Sequence, residues 1–251
     1  MRPPFPAHAE RLAKHDRADF AQEFLRRNPA YRGAWAASRD TLPALERTEI
    51  VHAEARRWGL VRLFDPDRSV RSAPAIWRAD CASQIVSLAP AHAGYSGAAT
   101  LPDVAPLAEF IAGDGRHLVF DVAGVRHRLH VLTGAPRAPL AILLPPLGRP
   151  LRVAACDAAR RMFAGLTMAE PASVMRPSAL QRQRLALLLR VLDASLAGAS
   201  NREIGLGIVY PWLGGIDALA WKATSERRRV QRLVADAGNL AASGYRDLLR
   251  G

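Results

Sequence analysis

The chain has 251 residues, 49% of them hydrophobic, and its 35 Lys and Arg outnumber 23 Asp and Glu to give a formal net charge of +12. That length and apolar content provide for ordered cores and exclude a chain disordered throughout, while the charge favours a polyanionic partner. No run approaches the roughly 20 apolar residues of a membrane span and the start, MRPPFPAHAERLAKH, has no apolar h-region, so the expected location is cytoplasmic with no membrane partner.

Residues 1–15, rich in Pro, Ala, His and Arg, read as a flexible arm. An N-terminal helical unit is expected over 16–80. From Asp16 a helix sets Phe20, Phe24 and Leu25 on one side, and Asn28-Pro29 reads as an N-cap with an N1 proline. The helix that follows places Tyr31 and Trp35 four apart. A third helix after Leu45 buries Ile50, Val51 and Trp58, ends at Gly59, and leads into a short strand over 60–64. Aromatics at this spacing fit a packed core better than a base-stacking surface. Arg26 and Arg27, at a helix end, suit the helix dipole or a phosphate equally.

The period changes over 84–165. Runs at 85–88, 117–122, 125–132 and 140–144 are short, apolar and β-branched, bounded by Gly, Pro and Asp. Val122-Ala123-Gly124 suggests a tight hairpin, so a short antiparallel β segment is expected, followed by a helix over 151–163 with Arg160 and Arg161 exposed. His127 and His130, three apart in a strand, point to opposite faces and read as solvated residues rather than a shared metal site. The two prolines in 166–177 mark a linker.

Over 177–251 the pattern is helical. Ser178-Ala-Leu-Gln181 has the capping-box form and opens a long helix whose stripe is Leu185, Leu188, Leu189, Leu192 and Leu196, closed by Gly198. Ser200-Asn-Arg-Glu203 repeats the box for a short helix carrying Ile204, Ile208 and Val209, stopped by Pro211. Asp217 caps one further turn that holds Leu219 and Trp221 against the core. In the stretch from Thr224 to Ala237 (TSERRRVQRLVADA), Val230, Leu233, Val234 and Ala237 share one face with Ala223 in line. Ser225, Arg228, Arg229 and Arg232 recur at i, i+3, i+4 and i+7 on the other.

Guanidinium groups so spaced pair bidentately with guanine edges and neutralise phosphates, as a helix in the DNA major groove must. The order of long helix, short capped helix, connector and basic helix reads as a helix-turn-helix-like unit on a supporting helix. The connector is longer than the usual turn of about three or four residues, and Gly205 and Gly207 each cost roughly 1 kcal/mol against alanine inside a helix. The fold class expected is therefore α+β: a small helical N-terminal unit, a central β segment and a helix-turn-helix-like C-terminal domain.

No constellation for catalysis is found: phosphate-loop, dinucleotide-loop and nucleophile-elbow motifs are missing from the sequence. The chain is expected not to be an enzyme, and no cofactor or metal is called for. Cys81 and Cys156 stand alone without a C-x-x-C pair and read as core thiols. Lys14 and Lys222 are the lysines of the chain, so nearly every positive charge is arginine; the charge partly reflects composition and proves no partner.

Two resemblances cover most of the chain. Leu180 to Asp193 (LQRQRLALLLRVLD), LAGASNREI from Leu196 and GYRDLL from Gly244 resemble a C-terminal domain-of-unknown-function family of proteobacterial mobile elements. DFAQEFLRRNPAYRGAW from Asp19, RWGL from Arg57 and AIWR from Ala75 resemble the transcriptional-regulator-like domain that often precedes it. The pairing resembles that of a two-domain regulator family of integrative and conjugative elements. It implies a DNA-binding regulator that activates excision or transfer genes; the C-terminal family also occurs alone as antiactivators that bind other regulators. Ser225, Arg228, Arg229 and Arg232 are then the expected reading face, with Lys222, Arg202 and Arg227 as backbone-contacting neighbours. Double-stranded DNA is the expected partner, with RNA polymerase, a second protomer or another regulator as protein partners. The alternative is a protein-interaction module in which the same arginines meet carboxylates.

Overall fold

A computed structural model describes residues 12–40, 52–133, 139–166 and 173–251. The expected arm up to residue 11, Ile50 and Val51, and residues 167–172 of the expected linker lie outside them. The fold is α+β, with a five-stranded sheet between helical regions.

Asp16 accepts the Asp19 amide at 2.9 Å while the Asp19 carboxylate receives the Asp16 N–H at 3.2 Å, a reciprocal cap that starts α1 (Arg17–Leu25). Asn28 Oδ1 accepts from Ala30 and Tyr31, and Pro29, with no N–H to lose, opens α2 (Pro29–Asp40). Residues 52–57 are helical, and Gly59 follows in the left-handed conformation at φ +76°. Phe20, Phe24, Leu25, Tyr31 and Trp58 are buried, and Trp35 is partly so. The strand expected over 60–64 does not form: Leu60 alone bridges, to Trp77. The Tyr31 hydroxyl donates to Phe64 O at 2.7 Å and accepts from Phe64 N–H at 2.8 Å, taking the backbone groups a strand neighbour would use.

The sheet runs in the order β2-β3-β4-β1-β5, from β1 (Ile85–Pro90), β2 (Ala108–Ala112), β3 (Gly115–Val122), β4 (Val125–Leu132) and β5 (Leu140–Leu143). β2 was not expected; it is an edge strand whose side chains are never fully buried, so its hydrophobic signal is weak. β3 and β4 are joined at Ala123 and Gly124, φ +53° and +77°, the geometry two-residue hairpin turns require. β1 pairs with β5 antiparallel but with β4 parallel, so the sheet is mixed. β1 is followed by a long excursion rather than a hairpin, which frees its edge for a distant strand.

One face of the sheet carries Val86, Leu88, Leu118, Phe120, Leu129 and Val131 against Leu151, Ala155, Ala158, Ala159 and Met162, most of them on α3 (Pro150–Phe163). Arg160 and Arg161 lie in solvent and share Asp157. Cys156 belongs to this core, whereas Cys81 is only half-buried; burial pushes both thiols up.

The opposite face turns Arg126 and Arg128 towards α1. Arg128 Nη1 lies 2.5 Å from Asp16 Oδ2 and its Nη2 lies 2.8 Å from Asp19 Oδ1, while Arg126 Nη1 reaches Asp19 at 2.7 Å and Val70 O at 3.0 Å. Burial alone would push the Asp16 carboxyl up, but Arg128 beside it holds it below the usual range. Burial and the neighbouring Asp16 push Asp19 the other way. Because both faces are covered, the strand histidines are not solvated as expected: His127 and His130 are each 6% exposed. Burial, with the Arg128 charge adding, lowers the His127 pKa to about 4.

The C-terminal helices share one apolar core with the N-terminal ones, in which Phe20, Tyr31, Trp58 and Trp77 meet Leu189, Val230, Ala237 and Tyr245. α4 (Ala179–Leu196) starts at the Ser178 capping box and buries Leu185, Leu188, Leu189 and Leu192. Leu196, expected in the stripe, is half exposed at the last residue of the helix. Long-range hydrogen bonds stitch the two ends together: Asn28 Nδ2 to Ala241 O at 2.9 Å, Tyr245 Oη to Trp58 O at 3.1 Å, and Ser83 N to Leu249 O at 2.8 Å. Arg27, a candidate phosphate contact in the sequence, instead spans Glu23 and Asp193 on α4. Among the described residues no helix is long and apolar enough to cross a membrane.

Candidate nucleic-acid interface

Ser200 caps α5 (Asn201–Ile204) through a complete box with Glu203, and these hydrogen bonds hold the Glu203 carboxyl below the usual range. The helix runs on as a π-helical turn, Gly205–Val209, and leaves helical geometry at Tyr210, before Pro211. A 3₁₀ turn, Pro211–Leu213, leads to α6 (Ala218–Ala223), capped by Asp217 through a 2.7 Å bond from the Ala220 amide. Trp221 on α6 is buried, but Leu219 is 79% exposed, against expectation. On a single turn, residues two apart point to nearly opposite sides, so only one of the pair reaches the core.

Gly205 explains how Trp221 is seated. A methyl group at Gly205 would lie 2.4 Å from Trp221 Cη2 and 2.9 Å from Cζ2, so the indole rests on bare backbone. A residue costly for helix propensity is here a packing requirement. No such neighbour lies within 4 Å of Gly207.

Thr224 caps α7 (Ser225–Asn239), accepting from the Arg227 amide. Val230, Leu233 and Ala237 are buried, Val234 is half-buried, and Ala223 is exposed on the preceding helix. The polar face stands in solvent: Ser225, Arg228, Arg229, Arg232 and Lys222 are all exposed. Among the described residues no carboxylate or carbonyl holds Arg228, Arg229 or Arg232. Ser225 Oγ contacts Glu226 at 3.0 Å, and Arg227, half-buried, leans on Lys222 O at 3.5 Å. Arg202 does not join this face. Its Nη2 donates to Ile216 O at 2.5 Å, bracing the connector, and its Nε is buried without a partner. Towards the C-terminal end of α7, Asp236 pairs with Arg184 of α4 at 2.9 Å, tying the helix to its support.

This is a rigidly mounted helix, about 22 Å long at 1.5 Å per residue, presenting unpaired guanidinium groups outward. A B-DNA major groove about 12 Å wide accepts an α-helix, whose diameter with side chains is about 10–12 Å. Sequence periodicity had located the face; which arginines are unpaired, and that Arg202 is engaged elsewhere, depends on contacts across the fold.

Two family models match the chain. Residues 127–250 match "T6SS, Transcription factor, DNA binding domain", and residues 5–61 match "Proteobacterial transcriptional regulator-like domain". Together they support a two-domain, DNA-binding transcriptional regulator, and both families are of regulators rather than enzymes. The first span runs from β4 to the last helix, α8 (Tyr245–Arg250), and so contains α7 with its arginines, while the second contains α1 and α2. No curated protein matches the chain.

Proposed function

We propose that the protein acts in the cytoplasm as a sequence-specific transcriptional activator. Its C-terminal helices, a helix-turn-helix-like unit elaborated by α6, lay α7 in the major groove. Ser225, Arg228, Arg229 and Arg232 read base edges, Lys222 and Arg227 contact phosphates, and Arg202 adds its field while bracing the connector. The observation that carries this reading is the set of three exposed arginines without protein partners on a helix fixed to the core. Base reading by α7 needs no cofactor. The N-terminal and sheet surfaces are left for RNA polymerase or a second protomer. The motifs near Leu180 and Asp19 favour excision or transfer genes of a mobile element as targets, and the T6SS wording of the C-terminal match offers the competing gene class.

The test is a mobility shift with genomic fragments at about 0.15 M salt. Arg228→Ala or Arg232→Ala should weaken specific binding about 10- to 100-fold, while Lys222→Ala should weaken all sequences alike and reduce the salt slope by about one. Variants that bind like the wild type overturn the reading. Mapping bound sites in cells then separates mobile-element promoters from T6SS promoters.

One observation favours a second reading, a protein-interaction module. Trp212 is 74% and Leu219 79% exposed, both in the connector region beside α7, and such apolar groups are the usual anchors of protein interfaces. Under that reading Trp212→Ala abolishes capture of a partner regulator, and the arginine variants leave DNA retention unchanged.

A further inference from the structure

The hairpin register brings together three metal-ligating side chains that are scattered in the sequence. His117 on β3 sits directly opposite His130 on β4. Their rings stack at 4.2 Å with planes 8° apart. Asp114 lies in the turn between β2 and β3, beside both: its Oδ1 is 3.0 Å from His117 Nε2, and its Oδ2 is 3.6 Å from His130 Nε2, which also lies 3.1 Å from the Asp114 carbonyl. One ligand atom from each of the three residues falls within 4.8 Å of the others.

We propose that Asp114, His117 and His130 form a binding site for a divalent cation of the zinc class. In tetrahedral zinc sites, metal-ligand distances near 2.1 Å set neighbouring ligand atoms about 3.4 Å apart. The two stacked rings would have to tilt out of their parallel arrangement for both Nε2 lone pairs to meet one ion. Two imidazoles with one carboxylate suit zinc, cobalt or nickel, whereas calcium and magnesium prefer all-oxygen shells. The histidines are buried and aimed the same way, which limits their freedom before binding. The Asp114 side chain is 62% exposed, leaving an entry path and a fourth position for water. Arg78 is the nearby cation facing His117, and its charge is engaged by Asp80 at 2.7 and 3.0 Å. The site lies on the sheet face that carries Arg126 and Arg128, so a bound ion would tie the β2–β3 turn to the strand that clasps α1.

The experiment titrates the chelator-treated full chain with Co²⁺ and then Zn²⁺. The expected result is one equivalent of Co²⁺ with visible absorption of a four- or five-coordinate ion, displaced stoichiometrically by Zn²⁺. Asp114→Asn, in an exposed turn, should weaken binding at least about 10-fold, and His130→Ala should abolish it. His127→Ala, on the other sheet face, should leave it unchanged. Should His130→Ala fail to fold, paramagnetic shifts in the wild type decide: Co²⁺ must move the ring signals of His117 and His130 ahead of those of the other five histidines. No stoichiometric binding, binding unaltered by Asp114→Asn, or shifts centred on other histidines would each overturn the site and leave a hydrogen-bonded Asp-His-His cluster. None of these outcomes bears on DNA binding by α7.

Discussion

Arg128 and Arg228 carry the same guanidinium group in opposite settings. The first is 3% exposed and closes a four-charge cluster with Arg126, Asp16 and Asp19; the second stands on the solvent face of α7 with no carboxylate beside it. The net charge of the chain counts both alike, yet Arg128 is already neutralised within the fold, whereas the arginines on the solvent face of α7 have charge to offer a polyanion. Where a positive charge is spent inside the molecule, it holds the sheet to α1; where it is left unpaired, it is available for binding. A basic composition therefore says little until the internal pairs are removed from it.

The sharpest way to break this contrast is to delete one guanidinium of each kind. Arg128→Leu leaves Asp16 and Asp19 buried with too little positive charge, a loss of about 3 to 5 kcal/mol in stability. Arg228→Ala removes no internal partner and should change stability by less than about 0.5 kcal/mol. Urea unfolding of the two variants reads both, and equal midpoint shifts would erase the distinction. The same pair should reverse in a DNA mobility shift once Arg128→Leu is assayed below its unfolding transition.

The buried side of the contrast also has a pH signature. With its pKa lowered to about 4 from an unfolded value near 6.5, His127 is bound by a proton more readily in the unfolded chain. Its contribution is therefore complete above pH 6.5 and is lost as the pH falls towards 4, on the order of 3 kcal/mol over that window. Glu23, with its pKa held at about 2 by the neighbouring His15 and Arg27 despite its burial, adds a further loss from about pH 4.5 downward. Stability measured from pH 7 to pH 4 should fall less steeply in His127→Gln than in the wild type. Parallel curves would mean the imidazole is hydrated, as the sequence alone had suggested.

The features legible in the sequence are those decided within one turn of chain. Ser178, Ser200 and Asp217 each cap the helix that their local pattern announces, and the basic and apolar faces of α7 separate as the 3.6-residue period requires. The hairpin at Ala123-Gly124 was legible too, and it fixes every pair out to Gly115 and Leu132, including His117 opposite His130. That pairing shows only across two strands, and spacing along one strand does not reveal it. The carboxylates that hold Arg126 and Arg128, and Asp193 beside Arg27, were not legible, since each lies more than 100 residues away in the chain. Nor was the exposure of Leu196, whereas that of Leu219 follows from its place two residues from Trp221 on a single turn.

The two glycines near α5 give the smallest expected effects, and they test whether the base of the DNA-binding unit is packed as tightly as the clamp at Arg128. By helix propensity alone, alanine at either position should stabilise by up to about 1 kcal/mol. At Gly205 the backbone is ordinary helix, φ −57° and ψ −55°, so conformation does not forbid a side chain, but the new methyl would meet the Trp221 ring at 2.4 Å. The ring belongs to a rigid indole anchored in the core and cannot bend aside like the end of a lysine, so Gly205→Ala should cost about 1 to 3 kcal/mol. At Gly207 a methyl meets nothing, and Gly207→Ala should gain a few tenths to about 1 kcal/mol. Opposite signs in thermal unfolding are the expected result. A gain at both positions would show that Trp221 moves freely, and α6 would then be too loosely held to orient α7 against a duplex.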